Sequence, residues 1–142
     1  MEIGSFIELD FEPKCEYYNG KNVAKLNTGR ASIFHALHVL GCSEIYLPYY
    51  QCNTVREFLI GKEIDIKYYG LDKNFTPLID SIPEKAAILL VNYYGVMSNT
   101  RMACLASKYK HVIIDNSHAF FSSPIDNCIN VYSSRKFVGT PD

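Results

Sequence analysis

No stretch of this sequence approaches the roughly 18 to 20 consecutive apolar residues that cross a bilayer as a helix. The first residues carry acids where a secretion signal would carry bases followed by an apolar run. Those absences give the expectation of a cytoplasmic protein with no membrane partner. Net charge is just as scarce. The 14 Lys and Arg against 15 Asp and Glu leave −1 at pH 7, and the bases are spread along the chain, so there is no electrostatic footprint for nucleic acid. A small neutral or anionic ligand remains. Neither CxxC nor HExxH occurs, which argues against a metal site. The five cysteines (Cys15, Cys42, Cys52, Cys104, Cys128) are odd in number, widely spaced and mostly set in apolar runs. They read as reduced core thiols, not as a disulfide framework. Neither GxGxxG nor GxxxxGKS/T is present. No internal repeat, low-complexity tract or linker divides the chain, and 142 residues with 48% hydrophobic content suit one domain with a real core.

What is there alternates. Residues 1–22 show no sustained period and contain Pro13 and the turn pair Asn19-Gly20, so they are expected to form an N-terminal arm. Val23-Ala-Lys-Leu26 reads as a short strand, broken by Asn27-Thr28-Gly29-Arg30 before Ile33, Leu37 and Leu40 set a helical stripe ending at Gly41. Further strands are expected at Ile45–Pro48, Ile64–Tyr69, Val112–Asp115 and Ile129–Tyr132. Ala86-Ala-Ile-Leu-Leu-Val91 is a continuous apolar run, the mark of a strand buried on both faces. Helices from Asn53 or Thr54 to Gly61 and from about Thr100 to Tyr109 separate them. The fold class is therefore α/β, a mostly parallel sheet with helices on both faces. Ligands of such sheets bind outside the carboxyl ends of the strands. That rule joins Asn27–Arg30, Tyr49–Gln51, Asn92–Gly95, Asp115–His118 and Ser133–Lys136 into one rim.

Several residues on that rim suit one kind of ligand. The glycine of Thr28-Gly29-Arg30 lets backbone approach closely, and the helix it opens offers free N–H groups to a phosphate, although an ordinary strand-to-helix turn looks the same. Asp115 ends a very apolar strand, where an ionised carboxylate needs a cation such as a protonated pyridine nitrogen. The alternative is a strand-terminal aspartate capping the next turn. His118 either contacts a ring's phenolic oxygen or hydrogen-bonds a carbonyl. Lys136 can form a Schiff base with an aldehyde if its pKa is depressed, or be an ordinary solvated lysine. Ser133 and Ser134 are candidates for phosphate oxygens. Tyr50 or Tyr94 offers a face on which a planar ring could stack, and Tyr50 enters the candidate cofactor set. His35 and His38 share a helix face and read as ordinary helix residues.

The ordered set resembles the N-terminal part of the DegT/DnrJ/EryC1/StrS family, pyridoxal-phosphate-dependent sugar aminotransferases of fold type I. Ile3-Gly4-Ser5-Phe6 is similar to the family's opening and Asn27–Ala31 to its phosphate loop. Leu89–Gly95 is similar to its strand ending in an aromatic-Gly pair, and Asp115-Asn-Ser-His118-Ala119 to its Asp-x-x-Gln/His-Ala motif. Ser133-Ser-Arg-Lys136 falls where the cofactor-bearing lysine is expected. The resemblance implies that Asp115 pairs with the pyridine nitrogen and that His118 lies by the ring. Gly29 and Arg30 backbone, with Ser133 or Ser134, would hold the phosphate. Lys136 would carry the cofactor and then shuttle the proton as base and acid. It also implies an amino donor, usually glutamate, a nucleotide-linked keto sugar bound for surface polysaccharides or antibiotics, and a homodimer.

Two departures stand out. The family's Ser-x-His-x-x-Lys spacing is not kept, because no histidine lies between Ile129 and Lys136, which leaves the choice of phosphate-binding serine open. Family members also continue past the point matching Gly139–Asp142, so residues 1–142 are expected to be a truncated large domain, inactive alone. The competing expectation is a catalytically inactive α/β binding or interaction module that keeps the fold. A dehydratase relative, which would carry histidine in place of the lysine, fits less well because Lys136 is present.

Overall fold

The protein is described from a computed structural model, covering residues 17–138. The opening Ile3–Phe6, Pro13, Cys15, most of the expected arm and Gly139–Asp142 lie outside the described residues. Local chemistry sets the first helix, α1 (Gly29–Leu40). Thr28, in extended conformation, accepts a hydrogen bond from the Ala31 N–H at 3.3 Å, and Gly41 closes the helix at φ 67°, donating to the His38 and Leu37 carbonyls. Left-handed backbone at that position is what glycine adopts at least cost. Replacing Thr28 by alanine removes the cap and is expected to cost about 1 kcal/mol, read as a lowered denaturant midpoint at unchanged slope.

Ile33, Ala36 and Leu37, at helical spacing, are buried. So are Val55 and Leu59 of α2 (Asn53–Ile60) and Met102, Leu105 and Ala106 of α3 (Asn99–Ala106). Between these stripes lie β1 (Glu44–Pro48), β2 (Asp65–Tyr69), β3 (Ala87–Val91), β4 (Val112–Asp115) and β5 (Ile129–Val131). They form one sheet in the order β2-β1-β3-β4-β5, every neighbouring pair parallel. Alternation along the strands splits the core into two layers. Ile45, Leu47, Leu89, Val91, Ile113 and Val131 face α1 and α2, while Ile88, Leu90 and Ile114 face α3 with Tyr69 and Tyr109. All five residues of β3 are buried, as a strand covered on both faces requires.

The expected strand at Val23–Leu26 does not form, and all four of its residues are exposed. Val23 and Leu26 are three apart, so an extended chain would send them to opposite faces and no single sheet face would gain both. The third helix is shorter than its pattern, ending at Ala106. Beyond it the Lys108 and Tyr109 N–H groups bond three residues back, to Leu105 and Ala106. A fourth helical turn, α4 (Arg135–Val138), was not expected. Of the four described cysteines, all free, only Cys42 is a core thiol. Cys52, just before α2, and Cys104 are exposed, and Cys128, just before β5, is half-buried against the α3 side of the core. Among the described residues no helix is long and apolar enough to cross a membrane.

Candidate active site

Each helix follows or precedes a parallel strand through a short connection, so the N-termini of α1, α2 and α3 and the C-termini of the strands share one edge of the sheet. Chain order reverses between β1 and β3, and that is where such sheets open a crevice. Here the opening is visible in the ladder. β1 pairs with β3 only through Ile45–Ala87 and Tyr46–Ile88, and Pro48 at the end of β1 has no N–H to extend it. Further along β3, the Leu89 carbonyl accepts from the buried Tyr69 hydroxyl at 2.6 Å instead.

The crevice mouth is lined by tyrosines. The hydroxyls of Tyr50, after β1, and Tyr94, after β3, are 2.9 Å apart, and both rings are largely exposed. Tyr93 is buried beneath them, its hydroxyl donating to the Tyr50 carbonyl and its ring stacked between Tyr50 and Phe75. Burial, and then the nearby Asp115 charge, push the Tyr93 phenol well above its ordinary pKa, so it stays protonated and keeps donating. Tyr94 and Gly95 are consecutive left-handed residues (φ 55° and 67°), a conformation that is an outlier for a bulky side chain. The turn brings the Tyr94 ring over His118, nearly parallel at 16° with centroids 5.4 Å apart.

Asp115 closes β4 and is 5% exposed. Its Oδ1 accepts from the Ser117 N–H at 2.9 Å, so the ordinary turn-capping reading is correct as far as it goes. Yet one backbone bond does not neutralise a buried carboxylate, and among the described residues no cation forms an ion pair with it. His118 follows, half-buried, with Nδ1 buried and lacking a hydrogen-bond partner. Its pKa is lowered by burial first and by the Lys136 charge second, with Asp115 opposing. Lys136, exposed on α4, therefore lies within electrostatic reach of His118. It also helps, after hydrogen bonds from Thr54, to lower the pKa of the exposed Cys52 thiol.

The rim expected from sequence is thus joined across β1, β3 and β4, with Lys136 beyond β5 close enough to be felt. Ser133 and Ser134 are half-buried just before α4. Gly29 opens α1, and a Cβ placed there would meet nothing within 4 Å, which leaves its backbone open to a ligand. The Arg30 guanidinium lies over the Phe58 ring, 5.8 Å from its centroid, so only the backbone of Arg30 is offered to the rim. Thr28 spends its hydroxyl oxygen on the cap. No contact described here ties Thr28–Arg30 directly to Asp115, His118 or Lys136. A buried carboxylate with no ion-pair partner among the described residues, an imidazole nitrogen without a hydrogen-bond partner and an open glycine are features compatible with a phosphorylated pyridine. The residues present fit pyridoxal phosphate.

His118 also gives a pH signature. Its folded pKa lies below the ordinary 6.5, so the unfolded chain binds more protons in the window between the two values, and stability rises with pH there and is complete above about 6.5. The melting midpoint is expected to fall as pH drops through that window, and His118→Asn should flatten that part of the profile.

Sequence reasoning gave no role to Asn92, Asn116 and Ser122, although Asn92 and Asn116 fell inside expected rim segments. The signal available was a polar residue directly after a fully apolar strand.

No protein-family profile matches the chain, and no curated protein matches it in sequence. Solved structures do match in fold. A substrate-bound structure of BacF from Bacillus subtilis aligns with TM-score 0.53 and 16% identity over 78% of this chain and 35% of that one. The sugar aminotransferase CalS13 from Micromonospora echinospora aligns with TM-score 0.57 and 17% identity over 76% of this chain and 36% of that one. The chain thus spans little more than a third of either structure's length, and its parallel five-stranded sheet with flanking helices is an α/β fold shared with part of a sugar aminotransferase.

Proposed function

We propose that this chain is the cofactor-binding portion of a pyridoxal-phosphate-dependent aminotransferase of the DegT/DnrJ/EryC1/StrS type, cytoplasmic and homodimeric. It would move an amino group from an amino acid such as glutamate to a nucleotide-linked keto sugar destined for surface polysaccharide or a related glycan. The observation that supports this reading is that Asp115 ends β4 buried, with His118 three residues on, while Lys136 follows β5, the strand paired in parallel with β4. Acid, imidazole and amine occupy one edge in the chain order the resemblance requires.

When bound, pyridoxal phosphate supplies an electron sink for the carbanion formed at the amino-bearing carbon. Asp115 would hold the ring nitrogen protonated through a charge-assisted hydrogen bond, strengthened by its burial. His118, kept neutral by burial and by Lys136, would lie beside the ring's phenolic oxygen. Backbone N–H groups of Gly29 and Arg30 at the start of α1, with Thr28 and Ser133 or Ser134, would take the phosphate. Lys136 Nζ would hold the cofactor and serve as the base and acid that moves the proton at the amino-bearing carbon. Tyr50, already held against Tyr94, would cover the ring.

The test is an absorbance spectrum of the purified chain with added pyridoxal phosphate, then borohydride reduction and peptide mapping. A visible band with label on Lys136 is expected. No band, or label scattered over surface lysines, would favour the inactive binding module. The exposed aromatic rings of Tyr17, Phe121 and Phe137, packed together beside β5, are the feature that would serve such a module.

A further inference from the structure

We infer that Asn92 is a positioning residue for the proposed site: its amide clasps both ends of the segment that carries His118, and so sets where Asp115 and His118 point. The inference rests on the reading above but is carried by separate observations. Asn92 is the first residue past β3 and is 2% exposed, and Asn116, the first past β4, is also 2% exposed. The Asn92 main chain donates to the Asp115 carbonyl at 3.0 Å. Its side-chain Nδ2 donates to Asn116 Oδ1 at 3.0 Å and to Ser122 Oγ at 3.3 Å.

One side chain therefore spans the segment from Asn116 to Ser122. Inside it the Ala119 N–H returns to the Asn116 carbonyl at 2.8 Å and the Ser122 N–H to the Ala119 carbonyl at 2.9 Å, folding the segment into two successive turns with His118 in the first. Above the clasp the two loops touch through the Tyr94–His118 stack, and a Cβ added at Gly95 would lie 3.5 Å from that of Ala119. These are apolar contacts that fix separation but not direction. The clasp is polar, buried and directional, so it sets the register between the β3 and β4 ends.

A feature of the clasp argues for more than packing. Asn92 Oδ1 is buried and lacks a partner, and the Asn116 amide faces the Tyr132 hydroxyl just past β5, so the clasp leaves a buried acceptor unpaired on one of the two amides it joins. Two buried amides cost free energy that a pair of apolar side chains would not. What the amides give in exchange is a fixed direction at the base of Asp115 and His118.

The test uses the full chain and reads His118 itself, with no cofactor needed. In Asn92→Ala the chain should remain folded with a lowered melting point, and NMR titration should show the His118 pKa rising toward the ordinary histidine range as the imidazole leaves its buried position against Tyr94. Pyridoxal phosphate should bind about tenfold more weakly, the worth of one buried hydrogen bond. A double-mutant cycle of Asn92→Ala with Asn116→Ala should be non-additive in both readouts. A lowered melting point with an unmoved His118 titration would show a merely structural role and overturn the inference. Should Asn92→Ala fail to fold, Ser122→Ala, which removes one long contact at the far end, carries the same readout, and an unmoved titration there overturns it equally. Failure of the functional reading would look different: the unsubstituted chain would not take up pyridoxal phosphate at all, whatever His118 does.

Discussion

Replacing Lys136 by alanine is expected to eliminate borohydride-trapped pyridoxal phosphate from the chain while leaving its stability within about 0.5 kcal/mol, the usual range for an exposed side chain. The loss should be large because, among the described residues, the lysines whose contacts are known are engaged elsewhere. Lys67 and Lys110 are drawn to Asp65 and Glu84 at 3.1 and 3.2 Å, and Lys62 lies over the Phe34 and Phe58 rings between α1 and α2. Lys136 is the lysine whose charge lowers the His118 pKa among the described residues. The measurement is peptide mapping after reduction, with the melting curve as control. Arginine at this position would keep the positive charge near His118 but cannot be deprotonated. Lys136→Arg should therefore hold the His118 pKa down and still give no trapped product, separating the electrostatic role of the side chain from its covalent one. Trapping that persists on the alanine variant with undiminished yield, the label now on another lysine, would sink the assignment of Lys136.

Much of the architecture was legible because its signals are local and repeat. The apolar run from Ala86 to Val91 had to be a doubly covered strand, and the stripe Ile33, Leu37, Leu40 with Gly41 after it had to be a helix that stops there. The rim followed from topology alone, since a parallel sheet brings its strand ends to one edge. Legibility failed where a residue's fate depends on a distant partner. Val23–Leu26 has strand-like composition, and the three-residue spacing of Val23 and Leu26 argues only against a one-sided strand; whether a neighbour pairs with it is decided elsewhere in the chain. Cys104 sits in an apolar run in sequence yet is exposed in space. The Asn92–Asn116–Ser122 clasp joins residues 24 and 30 positions apart, and only the sheet order, β3 beside β4, makes them neighbours. Tyr94 is a related case. A left-handed tyrosine cannot be read from propensity, because the local sequence disfavours it and the stack on His118 is what holds it there.

Asp115 is where the balance between stability and function should show most clearly. Asp115→Asn keeps an oxygen for the Ser117 N–H and nearly the same shape, so the free chain should stay within about 1 kcal/mol of the unsubstituted one. The same change removes the buried charge at that strand end able to pair with a protonated ring nitrogen. Truncating one partner of a buried charge-assisted pair costs roughly 2–5 kcal/mol, which at 1.4 kcal/mol per decade is a loss of about 30-fold or more in affinity for pyridoxal phosphate. Asp115→Ala should weaken binding at least as much and, by orphaning the Ser117 N–H, also lower stability by about 1–3 kcal/mol. The pair of variants thus separates the two roles this carboxylate plays in the fold. Titrating cofactor by absorbance while following melting on the same samples reads both. If Asp115→Asn binds pyridoxal phosphate as tightly as the unsubstituted chain, the carboxylate does no more than cap its turn, and the ring nitrogen must be assigned elsewhere or the cofactor abandoned. If binding falls while melting holds, the buried charge at the end of β4 is kept for the ligand, since the turn it caps would be served as well by a neutral amide.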